Sequence, residues 1–428
     1  MEERVLLVGG GGREHAIARA LSTATLFAYS SNRNPGIADL ANEVRIGSET
    51  DTEAIVDFAT EIEATLAIIG PEAALAAGVV DALDEAGIYA FGPRADQARL
   101  ETDKAYQREF MVEHGIDARP EFETFESVEE AVAYVERVDG DVAVKPRGLT
   151  GGKGVRVTGD QVSNAEAVEY MRESGYDEWV IEERLLGEEF TVQAFVANGT
   201  LRPTPAVQDH KRAYEGDEGP NTGGMGSYSD ARAILPFMTA ADYEAAVEVL
   251  QETVDAMADY RGVLYGQFML TADGPKVIEY NVRFGDPEAM NTLPVLETDF
   301  LDVLTAAREG DSLPPLSFRN QATVCKYAVP EGYPTDPTAG ARVTVDVDAV
   351  EETDLFYASV DEREDGLYTT TSRSFAVLGR GKTIAAAENR AEAALADVGE
   401  GFHVRHDIGT EALIQTRIEH MRSLRGDN

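Results

Sequence analysis

The chain has 428 residues, with 78 acidic against 37 basic side chains, and its formal net charge at pH 7 is −41. So acidic a surface repels nucleic acid and anionic lipid, which excludes both as partners except through a local basic pocket. The single cysteine, Cys325, rules out an intrachain disulfide, and we expect it to fill a core position in a protein of the reducing cytoplasm. The length allows about two to four domains, each with a buried core.

The acidic residues are spread through predicted helices and loops, which is typical of a solvated folded surface. Because salt screens repulsion among such charges, we interpret the surface as adapted to high salt. We therefore expect thermal stability and activity to be higher in molar potassium chloride than in dilute buffer. Melting curves and activity assays in the two solutions check this, and equal values in both would contradict it.

The N-terminal segment MEERVLLVGGGG carries a short apolar run after two acids, which predicts a strand rather than a signal peptide. No stretch approaches the roughly 18 apolar residues that a membrane-spanning helix needs. We therefore expect a cytoplasmic protein that does not bind membranes.

Strands and helices alternate through residues 1–100. This alternation predicts an open parallel sheet, which binds ligands at the carboxyl ends of its strands. The strands are predicted at 4–8, 64–69 and 88–91, one helix at 14–21 and another after GPE, and the ligand loops at 9–15, 34–36 and 70–72.

The first loop, GGGGREH, comes close to a dinucleotide fingerprint. That fingerprint would place its third glycine at Glu14, and no acidic residue follows the second strand as required. A glycine turn that leads into a helix beside Arg13 is suited instead to a single phosphate. A structural turn without a ligand is the alternative.

The run DVAVKPRGLTGGKGVRV at 141–157 is the most informative stretch of the chain. It predicts a strand that ends at Lys145, a glycine-rich loop that contains Lys153, and a returning strand at 155–158. The amides and ammonium groups of such a hairpin can close over a polyphosphate. The spacing is not that of a Walker A loop, which would need glycine at Arg147 and a hydroxyl at Gly154. An ordinary glycine-rich hairpin is the alternative.

Amphipathic helices are predicted on both sides of this hairpin, at 99–115, which carries Lys104, and at 128–138 and 164–174. A strand at 179–182 then ends among carboxylates. One of these can accept hydrogen bonds from a ribose, while the strand-end backbone holds an adenine edge. An acidic surface turn is the alternative.

Two later runs carry further polar side chains. QDHKR at 208–212 is a rare basic cluster and favours an anionic small molecule, with His210 expected to be structural. In KVIEYNVRFGDPE at 276–288, Glu279 and Asn281 share one strand face and are suited to a hard cation. Arg283 shares that face if the strand continues, and Asp286 and Glu288 can take a substrate amine. A solvated sheet edge is the alternative.

From residue 321 the pattern changes to short strands and one helix, which predicts a small α+β domain. The strands are predicted at 324–329, 341–347, 356–360 and 375–379, and the helix at 383–396. We therefore expect an N-terminal domain at 1–100, a central domain at 101–320 with a flap subdomain at about 120–190, and a C-terminal domain at 321–428.

With these runs in hand, the chain resembles the glycinamide ribonucleotide synthetases of the ATP-grasp superfamily nearly end to end. The most specific runs are GGREH at 11–15, GPE at 70–72, GGKGV at 151–155, QDHKR at 208–212, GPNTGGMG at 219–226 and NVRFGDPE at 281–288. The resemblance implies an α/β and α+β multidomain fold: an N-terminal open parallel α/β sheet, a central ATP-grasp fold with a mobile flap, and a small C-terminal α+β domain.

The resemblance also implies an ATP-dependent ligase of de novo purine biosynthesis, which joins glycine to 5-phosphoribosylamine through glycyl phosphate and releases ADP and phosphate. Its partners would be these small molecules, with Mg²⁺ or Mn²⁺ as the cofactor, and we expect a monomer or weak oligomer. The alternatives are another ATP-grasp carboxylate-amine or carboxylating ligase, and a non-catalytic nucleotide-binding protein. GPNTGGMG and the lack of a biotinylation-type segment favour the glycine ligase.

Site residues follow from the same resemblance. Those expected at ATP are Lys104, Lys145, Gly151, Gly152, Lys153, Gly154, Glu182, Leu185 and Glu189, with Glu279 and Asn281 at the metal ion. Those expected at the other substrates are Gly11, Gly12, Arg13, Asp209, Lys211, Arg283, Asp286 and Glu288. Direct catalytic roles are expected for Lys145, Asp209 and Arg283.

Three positions depart from the usual pattern of these synthetases: Gly10 replaces Asn, Asp103 replaces Ser, and Met290 replaces Gln. None removes a charge that the chemistry needs. We expect Asp103 to weaken the hold of Lys104 on phosphate.

Overall fold

The structure is a computed structural model that describes residues 3–149, 154–345, 350–396 and 398–426. Of the predicted site residues, Gly151, Gly152 and Lys153 lie outside the described residues. In the described ranges, no helix has both the length and the apolar content needed to cross a membrane.

The N-terminal region is an open sheet of five parallel strands in the order β3-β2-β1-β4-β5, which confirms the predicted architecture. Its elements are β1 (Arg4–Val8), α1 (Gly12–Ala20), β2 (Thr25–Ser30), α2 (Pro35–Leu40), β3 (Glu43–Ile46), α3 (Thr52–Glu61), β4 (Leu66–Ile69), α4 (Glu72–Ala76), α5 (Val79–Glu85) and β5 (Tyr89–Phe91). The strand order reverses between β1 and β4, so the loops after these strands meet at the carboxyl edge of the sheet. The helix predicted after GPE is two helices, because Gly78 has a left-handed φ of 82° between them.

The helix predicted at 99–115 is likewise two helices, α6 (Ala95–Thr102) and α7 (Lys104–Glu113). Asp103 interrupts them with extended backbone and caps α7, since its carboxylate accepts a hydrogen bond from the Tyr106 amide at 3.1 Å. The single-helix prediction was wrong, and Lys104 becomes the first residue of a helix.

A four-stranded antiparallel sheet in the order β6-β9-β7-β8 forms the flap together with two helices. The elements are β6 (Phe122–Phe125), α8 (Val128–Val135), β7 (Val142–Pro146), β8 (Arg156–Val157), α9 (Asn164–Glu173) and β9 (Trp179–Glu183). Its apolar side chains, with Trp179 buried among them, form a cluster separate from the main core. The flap is therefore packed as a unit of its own.

A second antiparallel sheet, in the order β11-β10-β16-β17, lies opposite the flap. The elements here are β10 (Glu188–Ala197), β11 (Thr200–Pro203), β12 (Gln208–Asp209), β13 (Arg212–Tyr214), β14 (Glu218–Asn221), β15 (Gly226–Ser229), α10 (Ala240–Asp255), β16 (Gly262–Thr271), β17 (Gly274–Asn281), α11 (Glu288–Thr292) and α12 (Phe300–Glu309). The pairing of β16 with β17 shifts between Gln267 and Phe268, which leaves Ile278 as a bulge beside Glu279.

The C-terminal region is built on β18, whose sheet has the order β12-β15-β18-β22-β19, with β23 also paired to β18. Its elements are β18 (Ala322–Pro330), β19 (Thr353–Tyr357), β20 (Val360–Arg363), β21 (Gly366–Thr369), β22 (Phe375–Gly381), α13 (Ile384–Leu395), β23 (Phe402–Val404) and α14 (Glu411–Arg425). Two predictions were wrong: α14 is a second helix, and residues 341–345 form only an isolated bridge from Arg342 to Tyr368. Cys325 is buried in this sheet, as expected.

His15 connects the N-terminal sheet to the C-terminal region. Its Nδ1 accepts a hydrogen bond from the Tyr357 amide at 3.0 Å, and its ring stacks on the Tyr357 ring with an interplanar angle of 7°. Gly36 lies so close that a Cβ there would be 1.9 Å from His15 Cε1. Burial, with a smaller contribution from Arg19, lowers the pKa of His15 to about 3. The neutral imidazole is thus the form that fits this contact.

We expect His15 to make the protein less stable in acid. The unfolded histidine binds a proton near pH 6.5 and the folded one only near 3, so the unfolded state binds more protons between these values. The contribution of His15 is fully present above this window and is lost as the pH falls through it, at about 1.4 kcal/mol per pH unit. In His15→Asn, which keeps a neutral acceptor, we expect the pH slope of the free energy of unfolding to decrease by about this amount. Chemical denaturation at several pH values tests this, and equal slopes in the two proteins would contradict it.

Candidate active site

A cleft of about 400 Å³ lies between the flap and the sheet of β10, β16 and β17. It brings together Lys145, from the flap strand β7, and Glu279, from β17. The other predicted site residues along its wall are Glu182, Leu185, Glu189, Asp209 and Lys211. Residues that are far apart in the sequence therefore share one cavity, large enough for a small molecule.

A buried network of charges holds Lys145 in place. Lys145 Nζ lies 2.7 Å from Glu182 Oε2 and 3.2 Å from the Ile278 carbonyl. Arg108 pairs with the other Glu182 oxygen at 2.7 Å and donates to the Ile278 carbonyl at 2.7 Å. Although burial raises it, Arg108 and Lys145 together hold the pKa of Glu182 below its usual range. The Ile278 carbonyl, at the bulge in β17, thus accepts hydrogen bonds from both Lys145 and Arg108.

Each oxygen of the Glu182 carboxylate already pairs with one of these cations. The paired part of β9 ends at Glu183, and Leu185 follows outside the ladder along the cleft wall. Glu189 lies on β10, the next strand along the chain, and accepts a hydrogen bond from Gln267 Nε2 at 2.6 Å.

Lys104, the first residue of α7, lies against the loop that follows the flap strand β7, and its amide donates to the Arg147 carbonyl at 3.0 Å. Its Nζ donates to the Gly148 carbonyl at 2.6 Å, and burial lowers the pKa of Lys104 against an opposing effect of Glu279. Asp103 is held by Arg147, whose Nε and Nη2 lie 2.8 and 2.9 Å from its two oxygens. The Asp103 carboxylate is thus paired with Arg147, and its expected effect on the hold of Lys104 on phosphate stays a prediction.

Glu279 is the centre of the polar floor of the cleft. Lys211 Nζ lies 3.2 Å from its Oε1 and 2.5 Å from Gln267 Oε1. Burial raises the pKa of Glu279, but Lys211, Lys104 and Lys145 together lower it to about 2. The carboxylate is therefore ionised at neutral pH and faces three ammonium groups.

The predicted metal ligands are a carboxylate and an amide. Asn281 follows Glu279 on the same strand face, and its Oδ1 accepts from Arg283 Nη2 at 3.1 Å. In the described part of the chain, no group of three His, Cys, Asp or Glu side chains could hold a metal ion. Mg²⁺ commonly binds through one or two carboxylates together with substrate phosphates, so this donor set fits such an ion when a polyphosphate is bound.

Two carboxylates, Asp209 on the cleft wall and the buried Glu288, are close enough to interact electrostatically. Burial and the charge of Glu288 raise the pKa of Asp209, and burial raises the pKa of Glu288. Glu288 Oε1 accepts from the Tyr265 hydroxyl at 2.8 Å, whereas Asp209 Oδ1 is buried without a hydrogen-bond partner among the described residues. A positively charged amine bound here would reduce the repulsion between Asp209 and Glu288 and would donate a hydrogen bond to the unpartnered Asp209 oxygen.

Arg283 lies between the N-terminal and central regions. Its Nη2 is 2.8 Å from Glu101 and its Nε is 3.7 Å from Glu72, the acidic residue of GPE. Arg283 Nη1 and Arg13 Nη1 both donate to the Phe284 carbonyl, at 3.1 and 3.2 Å. The GGREH, GPE and NVRFGDPE runs therefore meet at one point.

The predicted phosphate turn is already occupied in part by Glu14. The Gly11 amide donates to Glu14 Oε2 at 2.7 Å, and Arg13 Nε lies 2.6 Å from Glu14 Oε1. Gly12 lies against Tyr327, where an added Cβ would be 2.5 Å from the hydroxyl. An anion bound here must therefore compete with, or displace, the Glu14 carboxylate.

Several cleft residues were not selected from the sequence. They are Gln208, Gln267, Met269, Ile278, Arg417 and His420. Gln267 had no local signal, since its pairing with Glu279 across β16 and β17 is what places it in the cleft. Arg417 and His420 lie on α14, whose approach to the cleft had no local signal. His210 also lines the cleft, and burial lowers its pKa to about 3.

Comparisons with known proteins agree with this geometry. Sequence profiles of phosphoribosylglycinamide synthetase match the chain in its N domain at residues 3–101, its ATP-grasp (A) domain at 102–289 and its C domain at 323–411. The chain is 51% identical to a phosphoribosylamine-glycine ligase of Methanosarcina barkeri, with 99% of this chain and 100% of the relative covered. It is 49% identical to the ligase of that name from Methanothermobacter thermautotrophicus, with the same coverage.

Solved structures of known proteins also match the fold of this chain. The phosphoribosylamine-glycine ligase of Thermotoga maritima superposes with a TM-score of 0.80 at 28% identity, covering 94% of this chain and 99% of that one. A biotin carboxylase of Campylobacter jejuni superposes with a TM-score of 0.73 at 15% identity, covering 97% and 95%, and therefore shares the fold.

Proposed function

This chain belongs to the phosphoribosylglycinamide synthetase family, and we propose that it joins glycine to 5-phosphoribosylamine in an ATP-dependent reaction of purine biosynthesis, releasing ADP and phosphate. The observation that carries the proposal is the single cleft in which Lys145, Lys211 and Glu279 face one another. Such a cleft can gather a triphosphate and a divalent ion against a carboxylate substrate. We also propose the domain limits predicted above, at about residues 100 and 320.

The reaction needs an activated carboxylate. The glycine carboxylate is a poor electrophile, so one of its oxygens first attacks the γ-phosphorus of ATP, and the bond to ADP breaks. The amino group of phosphoribosylamine then attacks the carbonyl carbon of glycyl phosphate, and phosphate leaves as the amine loses a proton. Neither step requires a protein nucleophile, so the protein must supply charge neutralisation and alignment.

At the nucleotide, we assign Lys145 and Lys104 to the phosphates, the Leu185 backbone to the adenine edge and Glu189 to the ribose. Glu279 and Asn281 would hold Mg²⁺ or Mn²⁺, which when bound supplies positive charge to the phosphate oxygens. The bulge at Ile278 supports the assignment of Lys145, because it fixes the ammonium within the cleft.

At the other substrates, we assign Asp209 and Glu288 to the ammonium group of glycine. The unpartnered Asp209 oxygen and the raised pKa values of the pair support this, because an ammonium would satisfy both groups. Arg283 would face the glycine carboxylate and the phosphate that it accepts. Arg13 and the glycine turn would bind the phosphate of phosphoribosylamine. The Glu14 carboxylate would then have to release the Gly11 amide and the Arg13 side chain.

The flap would close over the intermediate. Gln161, which follows β8, donates from Nε2 to Asn221 Oδ1 at 3.3 Å and so reaches the GPNTGGMG run. This contact supports closure of the flap onto the substrate end of the cleft. Closure would exclude water from glycyl phosphate, whose hydrolysis would waste the ATP.

The decisive experiment is ADP release with ATP, glycine and freshly made phosphoribosylamine, each omitted in turn. We expect strict dependence on both glycine and the amine. ADP release driven by bicarbonate in place of glycine would favour a carboxylating ligase of the same fold. ATP binding without turnover under all conditions would favour a regulatory nucleotide-binding protein. Rapid ADP release with glycine alone would contradict the shielding of the intermediate.

A further inference from the structure

Arg373, in the segment before β22, reaches from the C-terminal region into the two most specific runs of the chain. Its Nη1 donates to the carbonyls of Gly223 and Gly224, at 2.7 and 3.1 Å, and to the carbonyl of Asp286 at 3.3 Å. Its Nη2 lies 3.2 Å from Asp286 Oδ2. One guanidinium thus joins the GPNTGGMG loop to the turn that contains Asp286.

Tyr327, on β18, completes this contact. Its hydroxyl donates to Asp286 Oδ1 at 2.7 Å, and the Arg373 guanidinium lies 4.5 Å from the centre of its ring. Both oxygens of Asp286 are therefore engaged by side chains of the C-terminal region. Arg373 and Tyr327 hold this carboxylate in place, whereas the Asp209 carboxylate nearby has an oxygen without a partner in the described residues.

The loop held by Arg373 borders the paired carboxylates. Gly224 has a φ of 109°, and a Cβ at that position would be 3.0 Å from Asp209 Oδ1 and 2.8 Å from Pro287 Cδ. The loop backbone is thus pressed between Asp209 and the turn that leads into Glu288. A shift of this loop would move Asp209 relative to Glu288.

We propose that Arg373 and Tyr327 are positioning residues that set the spacing of Asp209 and Glu288, and hence the affinity for the amine-bearing carboxylate substrate. This rests on the proposed function, since it takes glycine as the ligand of that pair. The C-terminal region then contributes to substrate binding from outside the nucleotide cleft. The Arg373 guanidinium contacts four acceptor oxygens at once. A lysine at this position could contact only some of them, because its ammonium lacks the planar, forked shape of a guanidinium.

The test compares Arg373→Ala, Arg373→Lys and Tyr327→Phe with the parent protein in the ADP-release assay. We expect KM for glycine to rise about tenfold or more in Arg373→Ala, which corresponds to loss of one charged hydrogen bond, while KM for ATP changes less than about twofold. Arg373→Lys and Tyr327→Phe should give smaller increases. Arg363→Ala is the matched control, because Arg363 forms an exposed pair with Asp361 in the same region.

Hydrogen exchange gives a readout that does not depend on turnover. In Arg373→Ala, amides of residues 219–229 and 281–290 should exchange faster, while those of β16 remain protected. Unchanged exchange at both segments, or an unchanged KM for glycine in an active protein, would overturn the proposal. A parallel rise in both KM values with a lowered melting temperature would also overturn it, since that is the pattern of general destabilisation. If the parent protein shows no glycine-dependent turnover, the proposed function fails, while the exchange data still decide whether Arg373 holds the loop.

Discussion

Glu279→Gln should lower glycine-dependent ADP release by about 10² to 10³-fold, the range measured when one preorganised electrostatic contact is removed. Glutamine has nearly the same shape, and the side chain lies in a cleft, so we expect the fold to be retained. The ionised carboxylate is the counter-charge to Lys104, Lys145 and Lys211 and one of two proposed metal ligands. Its loss removes a negative charge that faces all three ammonium groups, of which Lys145 keeps Glu182 as a partner, and replaces a carboxylate ligand of the metal ion with a neutral amide.

The change should separate binding from chemistry. A cleft with one fewer negative charge still attracts the triphosphate, so nucleotide affinity without added metal should be equal or higher. Turnover should nevertheless fall, because the metal ion and the γ-phosphate are no longer fixed relative to each other. Steady-state rates and nucleotide titrations with and without Mg²⁺ measure the two effects.

Glu61→Gln is the matched control for Glu279→Gln. Glu61 is also a carboxylate whose pKa is lowered by a cation, in this case Arg45, but it is exposed on α3. We expect its rate and its nucleotide affinity to match those of the parent protein. Near-normal turnover in Glu279→Gln would remove Glu279 from the metal site.

The sequence predicted those parts of the fold in which local pattern and tertiary packing agree. β1 was predicted with its observed limits because an apolar run is bounded by a glycine turn and is buried on both sheet faces. The break at Asp103 was missed because its capping contact competes with an otherwise continuous helical pattern. α14 was missed because it packs through few apolar residues, of which only Met421 is fully buried.

The candidate site was predictable where side chains follow strands at fixed spacing. Glu279 and Asn281 share a face because they are two residues apart on β17, and the flap strand ends near Lys145. The bulge at Ile278 was not predictable, since it depends on the pairing of β16 with β17. The contacts of Arg373 with Gly223 and Asp286 join residues that are 150 and 87 positions apart, and no local pattern reports such pairs.

Lys145→Ala should strongly lower glycine-dependent ADP release, because it removes the ammonium that the Ile278 carbonyl and Glu182 fix within the cleft. The expected loss is again about 10² to 10³-fold, since Lys145 would neutralise charge that develops on the γ-phosphate. We expect Lys104, which is assigned to the phosphates in its own right, not to take over the contact of Lys145, since its ammonium lies against the Gly148 carbonyl at 2.6 Å.

The same change affects stability, and the two effects must be measured apart. Removing one partner of a buried pair costs about 3 kcal/mol or more when the remaining charge is left alone, but Glu182 keeps its 2.7 Å contact with Arg108. We therefore expect a lower melting temperature but a folded protein at the assay temperature. Lys276→Ala, which removes a half-exposed pair with Glu183, should change neither property by much. If Lys145→Ala stays folded and turns over at a near-normal rate, the nucleotide phosphates do not lie against Lys145, and the cleft must hold ATP in another orientation.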